Sequence, residues 1–308
     1  MNGFLAMYKP TGMTSADVVY KVRKILHMKK VGHSGTLDPN VDGMLPIALG
    51  AATKAITTLQ DGGKIYSGEV TLGFATTTED LDGEVVARTP LQSAISDAEI
   101  DAAMASFIGT ITQIPPMYSA VKVNGRRLYD YARAGETVER PQRQAVIKEF
   151  TRVSPSTFNA EAGTQTFKFL AKVGKGTYIR TLAVDLGRKL GLASCMSQLT
   201  RQESGGFTLD ESCTLAQLQE LAAADRVAEV LHPIQHAYPT LPTVELSAAQ
   251  WSLVQNGGFV SLTTTAPRVL LTHAGVLKAV YARTAEGGYH PETMYLANDF
   301  GGVRGAND

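Results

Sequence analysis

The spacing of apolar residues changes several times along this chain, and each change marks an element. Phe4-Leu5-Ala6-Met7-Tyr8 is a short apolar run stopped by Lys9-Pro10-Thr11-Gly12, which reads as a strand and a turn. Thr14-Ser15 then caps a helix with Val18, Val19, Val22, Ile25 and Leu26 on one face. Residues 45–49 read as a buried strand, and 50–60 as a short helix turning Ala51, Ala55, Ile56 and Leu59 inward. From 64 to 73 the period becomes two, with Tyr66, Gly68, Val70 and Leu72 on one face of a half-buried strand. Ser96-Asp97-Ala98-Glu99 opens a helix that runs to about Phe107. Strands are expected at 84–88, 109–113, 145–153, 166–173 and 193–199. A helix after Tyr178-Ile179-Arg180 turns Leu182, Ala183, Leu186 and Leu190 inward, and another covers 214–230.

Strands and helices come in mixed order, without regular strand-helix-strand alternation. That order predicts an α+β fold built on a mainly antiparallel mixed sheet flanked by helices. Three prolines between His232 and Pro242 predict a linker, so the expected domains are 1–240 and a small module, 241–308. In that module Ser247-Ala248-Ala249-Gln250 is a capping box, Asn256-Gly257 closes its helix, and 259–262, 268–273 and 275–281 read as strands.

Composition bounds the class. A chain of 308 residues with 44% hydrophobic and 19% charged residues is expected to be soluble and globular, with one large domain and a small one. No apolar stretch is long enough to span a bilayer, and Met1-Asn2-Gly3-Phe4 does not resemble a secretion signal. Cys195 and Cys213 are too few for a disulfide scaffold, so the cytoplasm is the expected compartment. The net charge is zero, yet two basic regions stand out: Lys9 to Lys30, and Lys122 to Arg143. A neutral total can hide a basic face. The second region opens at Ile114-Pro115-Pro116, turns at Asn124-Gly125, and then interleaves Arg126, Arg127 and Arg133 with Tyr129 and Tyr131. Arginines among aromatics suit RNA, although the same tyrosines also suit an ordinary packed helix.

The chemistry concentrates in Gly32-His33-Ser34-Gly35-Thr36-Leu37-Asp38-Pro39-Asn40-Val41-Asp42-Gly43. Three glycines and a proline exclude regular helix or strand, so the run is a tight loop presenting Asp38 at its middle. A half-buried carboxylate requires a reason, because an unpaired charge is costly away from water. Asp38 is therefore the candidate nucleophile. The first half of the loop pattern fits a calcium loop from Asp38 onward, but Leu49 stands where the twelfth ligand should be glutamate. Ser34 lacks the G-x-S-x-G setting of a hydrolase nucleophile. Asp38 paired with Asp42 or a distant acid leaves a glycosidase open on these residues alone. Gly174-Lys175-Gly176-Thr177 is no phosphate loop, since Phe169 replaces the required glycine. His232 and His236 approach zinc-ligand spacing, but Pro233 breaks the helix this would need.

Gly32 to Pro39, followed by Gly43, Leu45, Gly50, Thr53 and Lys54, resembles the signature of the bacterial tRNA pseudouridine-55 synthases, the TruB family. Lys9 to Ser15, Tyr66, Pro115 to Tyr131, Lys175 to Arg180, and Leu199 with Arg201, Gly205 and Phe207 match in the same order. The resemblance covers nearly all of the first 210 or so residues; Val41, Asp42, Thr200 and Glu203 depart from it. It implies the pseudouridine synthase fold, with an RNA-binding insertion at 114–143 and a PUA-like last module. It implies isomerisation of one uridine in the T loop of tRNA, with no metal, nucleotide or flavin. By this resemblance Asp38 attacks, Arg180 holds its pKa down, Tyr66 stacks on the flipped base, Tyr178 walls the pocket and Leu199 closes it. His33 fills the space the base leaves, and Lys9, Lys122, Arg126, Arg127 and Arg133 meet phosphates. A monomer is expected. A non-catalytic RNA-binding protein or tRNA chaperone, and a synthase for another RNA, are the alternatives.

Overall fold

The computed structural model describes residues 1–300. It resolves into two compact units: Met1–Asp61 together with the chain from Ser204 onward, and Gly62–Glu203.

In the first unit the strand Gly3–Lys9 lies between Leu231–His232 and Asp42–Leu49, antiparallel to both. The short strand Val31–His33 also pairs with Asp42–Leu49. Alternation along Gly3–Lys9 sorts its side chains to two faces. Phe4 and Ala6 join Met44, Ala48, Phe207, Ile234, Leu270, Leu277, Val280 and Tyr295 in one cluster. Leu5 and Met7 join Val18 and Val22 of the Ser15–Ile25 helix, Leu45, Ile47, and Leu218 of the Leu215–Ala223 helix in the other. A strand buried on both faces shows a continuous apolar run, which is why 4–8 reads without polar alternation.

The stretch expected to be a linker is folded. Leu231–His232 is a strand, Ile234–Ala237 is a 3₁₀ helix, and Ile234, Ala237 and Tyr238 are buried in the cluster that holds Phe4. Its prolines terminate short elements, and its apolar residues are too sparse to show a period. Further on, Thr243–Glu245 runs parallel to Arg268–His273, which pairs antiparallel with Val276–Arg283, and that with Tyr289–Met294. Ser247 and Gln250 form the expected capping box on the helix Ala248–Val254. The strand expected at 259–262 is only a bridge, Val260 to Tyr289. The unforeseen strand Tyr289–Met294 contains Pro291, tolerated because it lies on the sheet edge beside a register shift.

The second unit is built on an antiparallel sheet in the order Ser194–Ser204, Lys64–Leu72, Thr164–Val173, Arg143–Arg152, Gly109–Gln113. Gly68 is needed at its centre: a Cβ there would come within 2.5 Å of the Gln198 carbonyl and 2.6 Å of the Phe169 ring. The helix Asp97–Ala105 lies against Arg143–Arg152, and it and Ile179–Lys189 bury Ile100, Met104, Leu182 and Leu186. Phe150 meets Phe107 and Phe169 edge-on, with centroids 6.4 and 5.5 Å apart. The expected α+β class with an antiparallel-dominated sheet is what the chain adopts.

Candidate active site

Asp38 sits half-buried on a loop whose backbone is held on both sides of it. Before it, the Leu37 N–H donates to the buried Ser15 hydroxyl at 2.9 Å. After it, the Pro39 carbonyl accepts from the Gly12 N–H at 2.9 Å and from Lys9 Nζ at 3.1 Å. Its own carbonyl accepts from the Val41 N–H at 3.1 Å, which closes a turn. The loop is anchored at its start by the Ser34 N–H on the Pro46 carbonyl, and Gly35 and Gly43 take φ of 97° and 113°. These are conformations that side chains resist, so the glycines permit the fold of the loop. Asp42 accepts from the Tyr8 hydroxyl at 3.0 Å. Burial, then that bond, pushes the Tyr8 hydroxyl up from its ordinary pKa.

Lys9 packs beside this loop. It is fully buried, and besides Pro39 its ammonium donates to the carbonyls of Pro10 at 2.9 Å and Met13 at 2.6 Å. Turned inward in this way it ties the 10–13 turn to the Asp38 loop. His33 is half-buried at the end of Val31–His33, opposite Ile47.

In the second unit Tyr66 is buried at 7% exposure, opposite Ala171, and Leu199 is buried on Ser194–Ser204. Tyr178 is the N-cap of the Ile179–Lys189 helix, which places Arg180 in its first turn. The Arg180 guanidinium donates to the carbonyls of Thr78 and Tyr118, both at 3.0 Å, and its Nε lies 3.8 Å from the Asp80 carboxylate. Asp80 is steadied by the Thr78 hydroxyl and by the Asp82 N–H at 3.0 Å. The neighbouring Glu79 has φ of 67°, accepts from the Thr181 hydroxyl at 2.8 Å, and takes the Met196 N–H on its carbonyl. Burial pushes the Glu79 carboxyl above its ordinary pKa, against the pull of the Thr181 bond and of Arg180.

Asp80 and Glu79 carry no signal in the sequence, where only the strand after them, at 84–88, is legible. A carboxylate whose partner lies a hundred residues away leaves no local trace. Gln113 was likewise read only as the end of a strand.

The insertion carries its cations over aromatic rings. Asn124 and Gly125 take φ of 51° and 80°, the tight turn their sequence predicts, between Lys122–Val123 and Arg126–Arg127. Arg126 lies 4.5 Å from the Tyr131 ring centre and pairs with Glu136 at 2.7 Å. Arg127 and Arg133 lie 5.6 and 5.4 Å from the Tyr129 ring centre. Lys122, Arg127 and Arg133 are exposed, Arg126 half-buried. Such contacts stabilise by about 0.5–1 kcal/mol at exposed sites and hold the guanidinium planes in place.

The chain is similar to known proteins along most of its length. The N-terminal domain model of the TruB family pseudouridylate synthases matches residues 23–179, and the tRNA pseudouridylate synthase B C-terminal domain model matches 180–238. The tRNA pseudouridine synthase B of Lacticaseibacillus paracasei is 59% identical over 299 residues, covering 97% of this chain and 99% of its own. That of Latilactobacillus sakei is 54% identical over 301 residues, with coverages of 97% and 99%. Among solved structures, a chain of a Cbf5-Nop10-Gar1 complex has a TM-score of 0.69 at 26% identity, covering 95% of this chain and 84% of that one. A chain of an H/ACA RNP bound to a substrate RNA containing 2′-deoxyuridine shares the fold, with a TM-score of 0.68 at 23% identity over 95% and 84%. With its two family domains consecutive and its relatives matched nearly end to end, the chain belongs to the TruB family of pseudouridylate synthases.

Proposed function

We propose that this protein converts one uridine of tRNA, position 55 in the T loop, to pseudouridine. Its relatives at 59% and 54% identity are tRNA pseudouridine synthases over nearly their full length. The observation that carries the residue assignment is the Asp38 loop, fixed by hydrogen bonds at Leu37, Asp38 and Pro39. A carboxylate held this way loses little freedom on reaching its target, which is what nucleophilic attack requires.

The reaction exchanges two bonds without net redox change. The ionised Asp38 carboxylate attacks ribose C1′ or base C6, the N1–C1′ bond breaks, the uracil turns, C5 bonds to C1′, and the bond to Asp38 breaks to return the free carboxylate. The proton leaving C5 is balanced by one gained at N1. The target base is stacked in a folded loop and must swing out to react. Tyr66 supplies a buried ring for it to stack on, Tyr178 and Leu199 wall its pocket, and Arg180 supplies positive charge. His33 fills the space vacated in the T loop. Lys122, Arg126, Arg127 and Arg133 meet backbone phosphates, which sets affinity without reading sequence. Residues 1–240, with the insertion 114–143, are assigned to catalysis and 241–308 to a small PUA-like module, the protein acting as a monomer.

The test is to incubate the protein with an unmodified tRNA transcript and map pseudouridine at every position. Conversion at position 55 alone supports the proposal. Conversion elsewhere makes it a synthase for another site. Binding without conversion makes it an RNA-binding protein.

A further inference from the structure

Gln113 is almost completely buried, at 1% exposure, and both ends of its amide face one residue of another element. Its Oε1 accepts the Tyr178 N–H at 3.0 Å and its Nε2 donates to the Tyr178 carbonyl at 3.1 Å. Tyr178 opens the Ile179–Lys189 helix without a side-chain cap, and its carbonyl also accepts the Leu182 N–H at 3.0 Å. A helix start is normally the least constrained part of a helix. Here a side chain 65 positions away fixes both backbone polar groups of its N-cap residue.

Gln113 is also the last residue of Gly109–Gln113, directly before the insertion. Within the insertion the Pro115 carbonyl accepts from Arg140 at 3.1 Å, and the Tyr118 carbonyl accepts from Arg180 at 3.0 Å. One amide thus joins the root of the insertion to the turn that presents Tyr178 and Arg180.

We propose that Gln113 is a positioning residue for pseudouridine formation: by clamping the Tyr178 peptide it sets Tyr178 and Arg180 for the chemical step and ties their placement to the root of the RNA-binding insertion. This rests on the proposed roles of Tyr178 and Arg180. Gln113, buried and bonded through both ends of its amide to the Tyr178 peptide, acts through that residue, so its loss acts on the rate at saturating tRNA and not on affinity.

Two variants test it, each followed by single-turnover pseudouridine formation, tRNA binding and thermal unfolding. Gln113→Leu keeps the apolar bulk and removes both bonds; its saturating rate falls by on the order of tenfold to a hundredfold while Kd stays within about threefold. Gln113→Glu gives a signature that packing alone does not. Its protonated acid offers the same carbonyl acceptor and a hydroxyl donor, whereas its ionised form turns a second acceptor on the Tyr178 carbonyl. The rate of this variant relative to the unaltered protein at the same pH therefore rises as pH falls. An unchanged rate in Gln113→Leu, a loss confined to Kd, or a ratio flat with pH overturns the inference. If Gln113→Leu fails to fold, the pH series of Gln113→Glu decides alone. The unaltered protein separates the two readings: no pseudouridine from it sinks the proposed function and this inference together, while an active protein with unaffected variants sinks the clamp alone.

Discussion

Lys9 and Asp38 carry opposite charges into one loop assembly, and the sequence made only one of them easy to place. Asp38 was legible because its neighbours are conformationally extreme: Gly35, Pro39 and Gly43 leave a loop as the only option. Lys9 was harder to place, because a lysine beside a turn gives no sign of whether its ammonium points out or in. Its burial against three carbonyls predicts that Lys9→Met strands those acceptors, at about 1–3 kcal/mol for each buried group left unpaired. Thermal unfolding should shift down and turnover should drop, with the salt dependence of tRNA binding unchanged. A shallower salt dependence would return Lys9 to the phosphate contacts. Glu79 gives a pH test. Burial raises its folded pKa, so between the ordinary glutamate pKa and the raised one the native state holds a proton that the unfolded chain has released. Its contribution is complete below the ordinary glutamate pKa and is lost as pH rises through the raised value. Glu79→Gln keeps an acceptor for Thr181 and should be more stable than the unaltered protein at pH 7, the difference shrinking as the medium is acidified. Unfolding curves across that range check it, and a difference that grows on acidification contradicts it.

At the scale of elements, the stretch 114–143 was the most readable. Asn124-Gly125 demands a turn, and arginines spaced among tyrosines fall on one small hairpin and helix, Lys122–Val123, Arg126–Arg127 and Leu128–Arg133. What spacing cannot show is that Arg127 and Arg133 share Tyr129, since that depends on side-chain direction. Cations held in this way and exposed should act additively on RNA. Arg127→Ala and Arg133→Ala should each weaken tRNA binding and reduce the slope of log affinity against log salt by about one. Turnover at saturating tRNA should be retained. Filter binding at several salt concentrations measures this, and a variant with normal affinity but slowed chemistry would assign that arginine to the reaction instead. The 231–238 stretch shows the opposite case. Its register with Phe4 and Leu5 and its buried Tyr238 depend on long-range packing, and prolines masked it as a linker.

For the whole molecule, the class of fold followed from element order, but the organisation of the core did not. The cluster around Phe4, Ala6 and Met44 takes Leu270, Leu277, Val280 and Tyr295 from beyond residue 240. Each fully buried side chain of that kind contributes roughly 1.5–3 kcal/mol, so a chain cut at 240 loses more than a typical domain can spare. The truncated protein should begin to unfold at a markedly lower temperature than the full chain. A sharp transition near that of the full chain would mean that 1–240 stands alone. The central claim concerns Asp38, and exchange of its charge with shape retained is the most direct trial. Asp38→Asn, mixed in excess with unmodified tRNA in a single turnover, is predicted to bind with near-normal affinity and to form no pseudouridine. If that variant still converts uridine 55, Asp38 is not the nucleophile and the account of this site is wrong.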